Sequence, residues 1–136
     1  METAGYSKTP LARKLGIKPG QKVKTIDAPD YYFSLFADLP EIEKSESQDP
    51  ESIDFIHIFS KEMDHLKSIF PEAKSQLKKN GMMWISWPKG ASKIPTDLNR
   101  DAIRNYCLDM GLVDVKVAAV DEVWSGLKFV YRTKDR

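Results

Sequence analysis

Two stretches of the chain are apolar almost without a break, and the rest of the pattern is arranged around them. Ser52 to Ser60 carries Ile53, Phe55, Ile56, Ile58 and Phe59, and Met82 to Trp87 forms a second such run, stopped by Pro88. Short runs without alternation predict strands covered on both faces, as in a parallel sheet. Between them the period changes. Met63, Leu66, Phe70, Ala73 and Leu77 recur at three or four residues with charge between them, which predicts helix over Lys61 to Lys78. Pro71 stands inside this stripe. A proline lacks the backbone donor and crowds the preceding turn, so two helices in tandem are predicted, ended by Asn80-Gly81. A further stripe of Leu98, Ala102, Tyr106 and Met110 predicts a helix that Thr96 or Asp97 caps and Gly111 ends.

The flanking elements are weaker. Thr9-Pro10-Leu11 opens a short helix, with Thr9 as cap and Pro10 at the first helical position, and Gly16 closes it. Lys22 to Asp27 reads as a strand through Val23 and Ile26, broken by Ala28-Pro29-Asp30. Tyr32, Phe33 and Phe36 give Tyr31 to Ala37 the apolar face of a helix, and Leu39 to Asp49 offers one short edge strand near Ile42. Val113 to Val120 and Leu127 to Arg132 read as an antiparallel pair joined by Asp121 to Gly126. Residues 1 to 8 read as a flexible leader. Strand and helix alternate, which predicts a single three-layer, Rossmann-like α/β domain over residues 1–136. Its sheet is mostly parallel and closes with a C-terminal antiparallel β-hairpin.

Composition narrows the chemistry. A chain of 136 residues can bury a core without staples. Its net charge of +1 lacks the basic excess of a nucleic-acid binder. Residues 1–68 carry 9 Lys and Arg against 12 Asp and Glu, and residues 69–136 carry 12 against 8. That asymmetry either suits an anionic ligand at the basic end or is the chance placement of solvated charge. Cys107 is the one cysteine, so no intramolecular disulfide can form. With no secretory h-region and no apolar stretch near about 18 residues, the expectation is a cytoplasmic protein that does not engage a membrane. His57, inside an apolar strand, reads as a hydrogen-bonded core histidine, and His65, on a charged helix, as exposed. Neither has partners at metal-ligand spacing. No serine stands in a Gly-x-Ser-x-Gly setting, so an α/β-hydrolase is unsupported.

From about Lys18 to Arg132 the order of elements resembles a class I, S-adenosylmethionine-dependent methyltransferase. The segments that carry the likeness are the central strand Ile53 to Phe59, the passage Leu77-Lys78-Lys79-Asn80-Gly81-Met82-Met83-Trp84-Ile85, and Gly111-Leu112-Val113 before the hairpin. More closely, the chain resembles a family of short uncharacterised bacterial proteins. That likeness rests on Gly5-Tyr6-Ser7-Lys8-Thr9-Pro10-Leu11, Leu15-Gly16-Ile17-Lys18-Pro19-Gly20, Trp87-Pro88-Lys89 and Val120-Asp121-Glu122-Val123-Trp124-Ser125-Gly126-Leu127-Lys128-Phe129-Val130. This second likeness implies a fold and no chemistry. Methyltransferases of this class place a glycine-rich turn after the first strand, where the backbone approaches the cofactor. Here the segment is Asp27-Ala28-Pro29-Asp30-Tyr31-Tyr32-Phe33, and no glycine occurs between Gly20 and Gly81. The expectation is therefore no cofactor, S-adenosylmethionine included.

Ligands of open α/β sheets sit beyond the carboxyl ends of the strands. That rule selects Asp27 to Asp30, Ser60-Lys61 and Trp87 to Asp97. Within them Asp27, Trp87, Lys89, Ser92, Lys93, Thr96 and Asp97 are the candidate ligand residues. Lysines beside a helix start can hold an anion, while the plainer reading is a solvated loop before a capped helix. Asp121, Glu122, Trp124 and Ser125 are candidate interaction residues. An acidic pair beside an aromatic could grip a cationic or ring-bearing partner, or the segment is only a hairpin connection. The leading expectation is a non-catalytic methyltransferase-like binding or interaction module with a protein partner or a small anionic ligand. The alternative is an enzyme or sensor for a small anionic or nucleotide ligand at the Lys89–Asp97 loop.

Overall fold

The computed structural model of the protein describes residues 10–136; the leader expected over residues 1–8 and the Thr9 cap lie outside the described residues. Six strands form one sheet: β1 (Lys22–Ile26), β2 (Glu43–Lys44), β3 (Ile53–Phe59), β4 (Leu77–Pro88), β5 (Leu112–Ala119) and β6 (Trp124–Tyr131). Their order is β2-β1-β3-β4-β6-β5. The first four neighbours run parallel, and β6 is antiparallel to both β4 and β5. Among the described residues, three α-helices accompany them: α1 (Leu11–Leu15), α2 (Met63–Gln76) and α3 (Arg100–Asp109).

The near-continuous apolar run of β3 is explained by cover on both faces. Ile56 and Ile58 face a core that includes Leu66 and Phe70 of α2 and Ile103 and Cys107 of α3. Phe55 and Phe59 face a second core with Leu15 of α1, Tyr32, Trp84 and Trp124. The indole of Trp84 donates to the Leu15 carbonyl at 2.8 Å, which ties α1 to the sheet. Gly16 closes α1 in the left-handed conformation at φ 88°, as its position in the sequence predicts.

Several local expectations are corrected, the first being that Pro10 precedes α1 as its N-cap and does not take its first helical position. α2 is one helix with Pro71 inside it, not two in tandem. Pro71 is exposed, while Leu66, Phe70 and Ala73 on either side are buried. Burying those side chains, at about 1.5–3 kcal/mol for each large one, outweighs the roughly 3 kcal/mol of an internal proline. α2 also ends before Asn80-Gly81, because β4 already begins at Leu77. Gly81 serves the sheet instead: a Cβ there would lie 2.8 Å from the Asp54 carbonyl oxygen, close to where the β3–β4 register shifts.

Tyr31 to Ala37 holds only a 3-10 helix, Tyr32–Leu35. The Tyr32 ring is drawn into the second core, edge-on to Phe33, Phe36 and Phe59, so tertiary packing sets this turn and no helical face forms. Finally, α3 is capped by Asn99, whose side chain accepts the Ala102 N–H at 2.9 Å, and not by Thr96 or Asp97. The edge strand expected near Ile42 is the two-residue β2, and β6 starts three residues earlier than predicted. No helix among the described residues is long and apolar enough to cross a membrane.

Candidate functional site

Three parallel strands end at the same edge of the sheet, and the chain leaves each by a different device. After β1, Asp27 turns the backbone in the left-handed conformation, φ 57°. Aspartate tolerates that region better than most side chains. After β3, Ser60 still donates its N–H to the Ser86 carbonyl at 3.0 Å before the chain enters α2. After β4, Lys89 donates its N–H to the Val123 carbonyl at 2.7 Å, which joins that exit to the hairpin turn.

A cleft of about 440 Å³ opens between the exits of β1 and β3 and Trp124 at the start of β6. Pro29, Phe59 and Trp124 form its apolar walls, Asp27, Lys61, Glu62 and His65 its polar rim, and the buried Ser60 also lines it. Trp124 meets Phe59 edge to face at 5.0 Å between ring centroids. The polar rim is ordered by hydrogen bonds. His65 Nε2 lies 2.8 Å from Asp27 Oδ2, and His65 Nδ1 lies 2.7 Å from Ser60 Oγ. With Nε2–H donating to the carboxylate, a neutral His65 accepts the Ser60 hydroxyl proton at Nδ1. A protonated His65 instead donates from both nitrogens, and the Ser60 hydroxyl turns to the Glu62 carbonyl oxygen at 3.0 Å. His65 keeps about a third of its side chain exposed, in keeping with its charged helix, but both ring nitrogens are engaged, which its setting in the sequence does not predict.

Behind this cleft lies a second, fully buried polar line. Tyr32 Oη and Ser86 Oγ flank His57, at 2.9 Å from Nδ1 and 2.7 Å from Nε2. Burial lowers the His57 pKa from 6.5 to about 3 and pushes the Tyr32 phenol up, so the line is neutral. His57 is the hydrogen-bonded core histidine that its apolar setting predicts. Among the described residues, every buried side-chain nitrogen and oxygen has a partner.

The candidates named from the sequence divide between two roles. Asp27 and Trp124 line the cleft. Thr96 and Asp97 brace its floor: Thr96 Oγ1 donates to the Lys61 carbonyl at 2.6 Å, and Asp97 Oδ1 accepts the Met63 N–H at 2.8 Å. Asp97 is thus the cap of α2. Ser92 Oγ donates to the Lys89 carbonyl within its own turn, Lys93 is exposed at φ 59°, and Trp87 is buried in the core between the sheet and the two long helices. Asp121 Oδ1 accepts the N–H groups of Val123 and Trp124, each at 2.8 Å, which closes the hairpin. Glu122 is exposed and Ser125 half-buried. Sequence reasoning selected Ser60-Lys61 only as a segment at a strand end, and it set His65 aside as an exposed residue without a role. The one available cue was the serine at the end of a buried strand, five residues before a histidine in the first turns of a helix.

A separate groove of about 360 Å³ runs between β1 and α2, with Lys24, Glu46, Ser68 and Glu72 among its lining residues. Lys24 is held there by Gln76 Oε1 at 2.7 Å and the Ser47 carbonyl at 3.2 Å. Among the described residues, no three His, Cys, Asp or Glu side chains converge as a metal site.

No family profile matches the chain, and no curated protein is significantly similar to it in sequence. Solved structures are similar in fold. A protein described as a type 11 methyltransferase from Sulfolobus solfataricus matches with a TM-score of 0.63 and 16% identity, covering 90% of each chain. A SAM-dependent methyltransferase from Aquifex aeolicus matches with a TM-score of 0.54 and 14% identity, covering 86% of this chain and 85% of that one. The 1,6-didemethyltoxoflavin-N1-methyltransferase of Burkholderia thailandensis matches with a TM-score of 0.55 and 9% identity, over 89% and 74%. The protein is therefore a single α/β domain with the methyltransferase-like Rossmann fold, as its order of elements predicts.

Proposed function

We propose that the chain is a methyltransferase-like binding module that does not transfer methyl groups. Its ligand, a small organic molecule, is seated in the cleft walled by Pro29, Phe59 and Trp124. The path of the chain after β1 carries this reading. Where the related fold brings a glycine-rich backbone up to the methyl donor, this chain has Asp27, Ala28 and Pro29. Asp27 already spends its left-handed turn on a carboxylate contact to His65. Proline offers no N–H, and the aromatic rings of Tyr32 and Phe36 fill the space beneath. What is left at the carboxyl edge is an open cleft of about 440 Å³ with mixed walls, within the size range of small-molecule seats.

The alternative seat at Lys89–Asp97 is less favoured, because Ser92, Thr96 and Asp97 are committed to turns and caps. Calorimetric titration tests the reading. S-adenosylmethionine and S-adenosylhomocysteine at millimolar concentration should give no saturable heat. Saturable binding of either would overturn it.

A further inference from the structure

We propose that Ser60, His65 and Asp27 form a nucleophile–base–acid relay that hydrolyses small carboxylic esters in the cleft. The inference rests on the cleft being the ligand seat and adds a reaction to it. The three side chains come from the ends of β1 and β3 and the start of α2, and they meet in one line: Oγ to Nδ1 at 2.7 Å, Nε2 to Oδ2 at 2.8 Å. All three border the same 440 Å³ cleft. The ring nitrogens are exchanged relative to the familiar serine triad, but such sites are defined by roles and geometry, not by position. The left-handed backbone at Asp27, uncommon for a side chain with a Cβ, brings its carboxylate to the imidazole. Ser60 Oγ also lies 3.0 Å from the Glu62 carbonyl oxygen and 3.4 Å from the Glu62 nitrogen, so the same serine closes the start of α2.

The reaction balances as follows. Ser60 Oγ adds to the ester carbonyl carbon while its proton passes to His65 Nδ1. Asp27 holds Nε2–H and offsets the imidazolium charge. The bond from that carbon to the alcohol oxygen breaks, and His65 returns the proton to the departing alcohol. A water molecule then adds to the acyl-Ser60 carbonyl, giving a proton to His65. The carboxylic acid leaves as Ser60 Oγ recovers that proton. One ester and one water yield one acid and one alcohol. Pro29, Phe59 and Trp124 suit an apolar or aromatic acyl group, and the exposed Lys61 lines the same cleft.

The test uses the full chain, an alkyl fluorophosphonate and p-nitrophenyl butyrate. The serine nucleophile displaces fluoride from the probe, so intact mass and peptide mapping should show one adduct, on Ser60. Ser60→Ala should abolish the adduct and the ester turnover. His65→Gln should slow both by roughly a hundredfold or more, and Asp27→Asn by a smaller factor. Near-ultraviolet circular dichroism checks folding. If Ser60→Ala loosens the start of α2, the labelling rate of His65→Gln still decides. No adduct on Ser60, or an adduct formed as fast in His65→Gln as in the parent, overturns the proposal. Neither result bears on methyl-donor binding, and saturable S-adenosylhomocysteine binding would overturn the previous reading without touching Ser60.

Discussion

His57 sits at the centre of β3 with both ring nitrogens engaged, and its burial has a consequence for stability. Its pKa is lowered from 6.5 to about 3 in the folded protein, so between those values the unfolded chain binds a proton that the folded one refuses. This contribution is intact above about pH 6.5. It is lost as pH falls toward 3, at about 1.4 kcal/mol per unit. His57→Gln keeps an uncharged donor and acceptor near Tyr32 and Ser86. It should lower stability at pH 7.5 by about 2 kcal/mol through imperfect hydrogen bonds. Urea denaturation at pH 7.5 and 5.5 should then show the parent losing about 1.4 kcal/mol more than the variant. Parallel profiles would contradict the assignment. The role of His57 was readable because a polar residue inside an apolar strand must find partners. That of His65 was not, because its partner Asp27 is 38 residues away and the pairing depends on the turn after β1.

At the scale of elements, the long apolar runs and helical stripes were reliable because burial itself creates them. Boundaries were not, because each is decided by one side chain whose partner is distant in sequence. Asp97 shows this best. Its place before the Leu98 stripe suggests a cap for α3, yet Asn99 takes that role and Asp97 caps α2 across the cleft floor. Asp97→Ala should therefore cost about 1 kcal/mol, similar to Asn99→Ala. Hydrogen exchange would separate the two: Asp97→Ala should raise exchange at Met63 and its neighbours in the first turn of α2, and Asn99→Ala at the first turn of α3. Faster exchange only in α3 for Asp97→Ala would contradict the assignment. Pro71 teaches a related point. A breaker on the exposed side of a helix is overruled when the buried side is continuous.

At the scale of the whole molecule, the alternation of strands and helices made the fold class legible, and the terminal hairpin explains why β6 runs against both of its neighbours. The sheet stops at the two-residue β2, which leaves the groove between β1 and α2 uncovered. The cleft was only half legible. The rule for open α/β sheets selected the edge at which the proposed cleft opens, and Asp27 and Trp124 were named. The loop richest in lysine and hydroxyl groups drew attention toward Lys89–Asp97, whose serine, threonine and aspartate side chains are spent on turns and caps. The most direct measurement is a two-dimensional amide NMR titration of isotope-labelled protein, first with S-adenosylmethionine and then with a library of small esters, acids and aromatic fragments. The account predicts no shifts from the methyl donor and fragment-induced shifts clustered at Asp27, Ser60, Lys61, His65 and Trp124. Shifts at those residues from S-adenosylmethionine, or fragment shifts gathered at Lys89–Asp97 or in the groove beside Lys24, would contradict it.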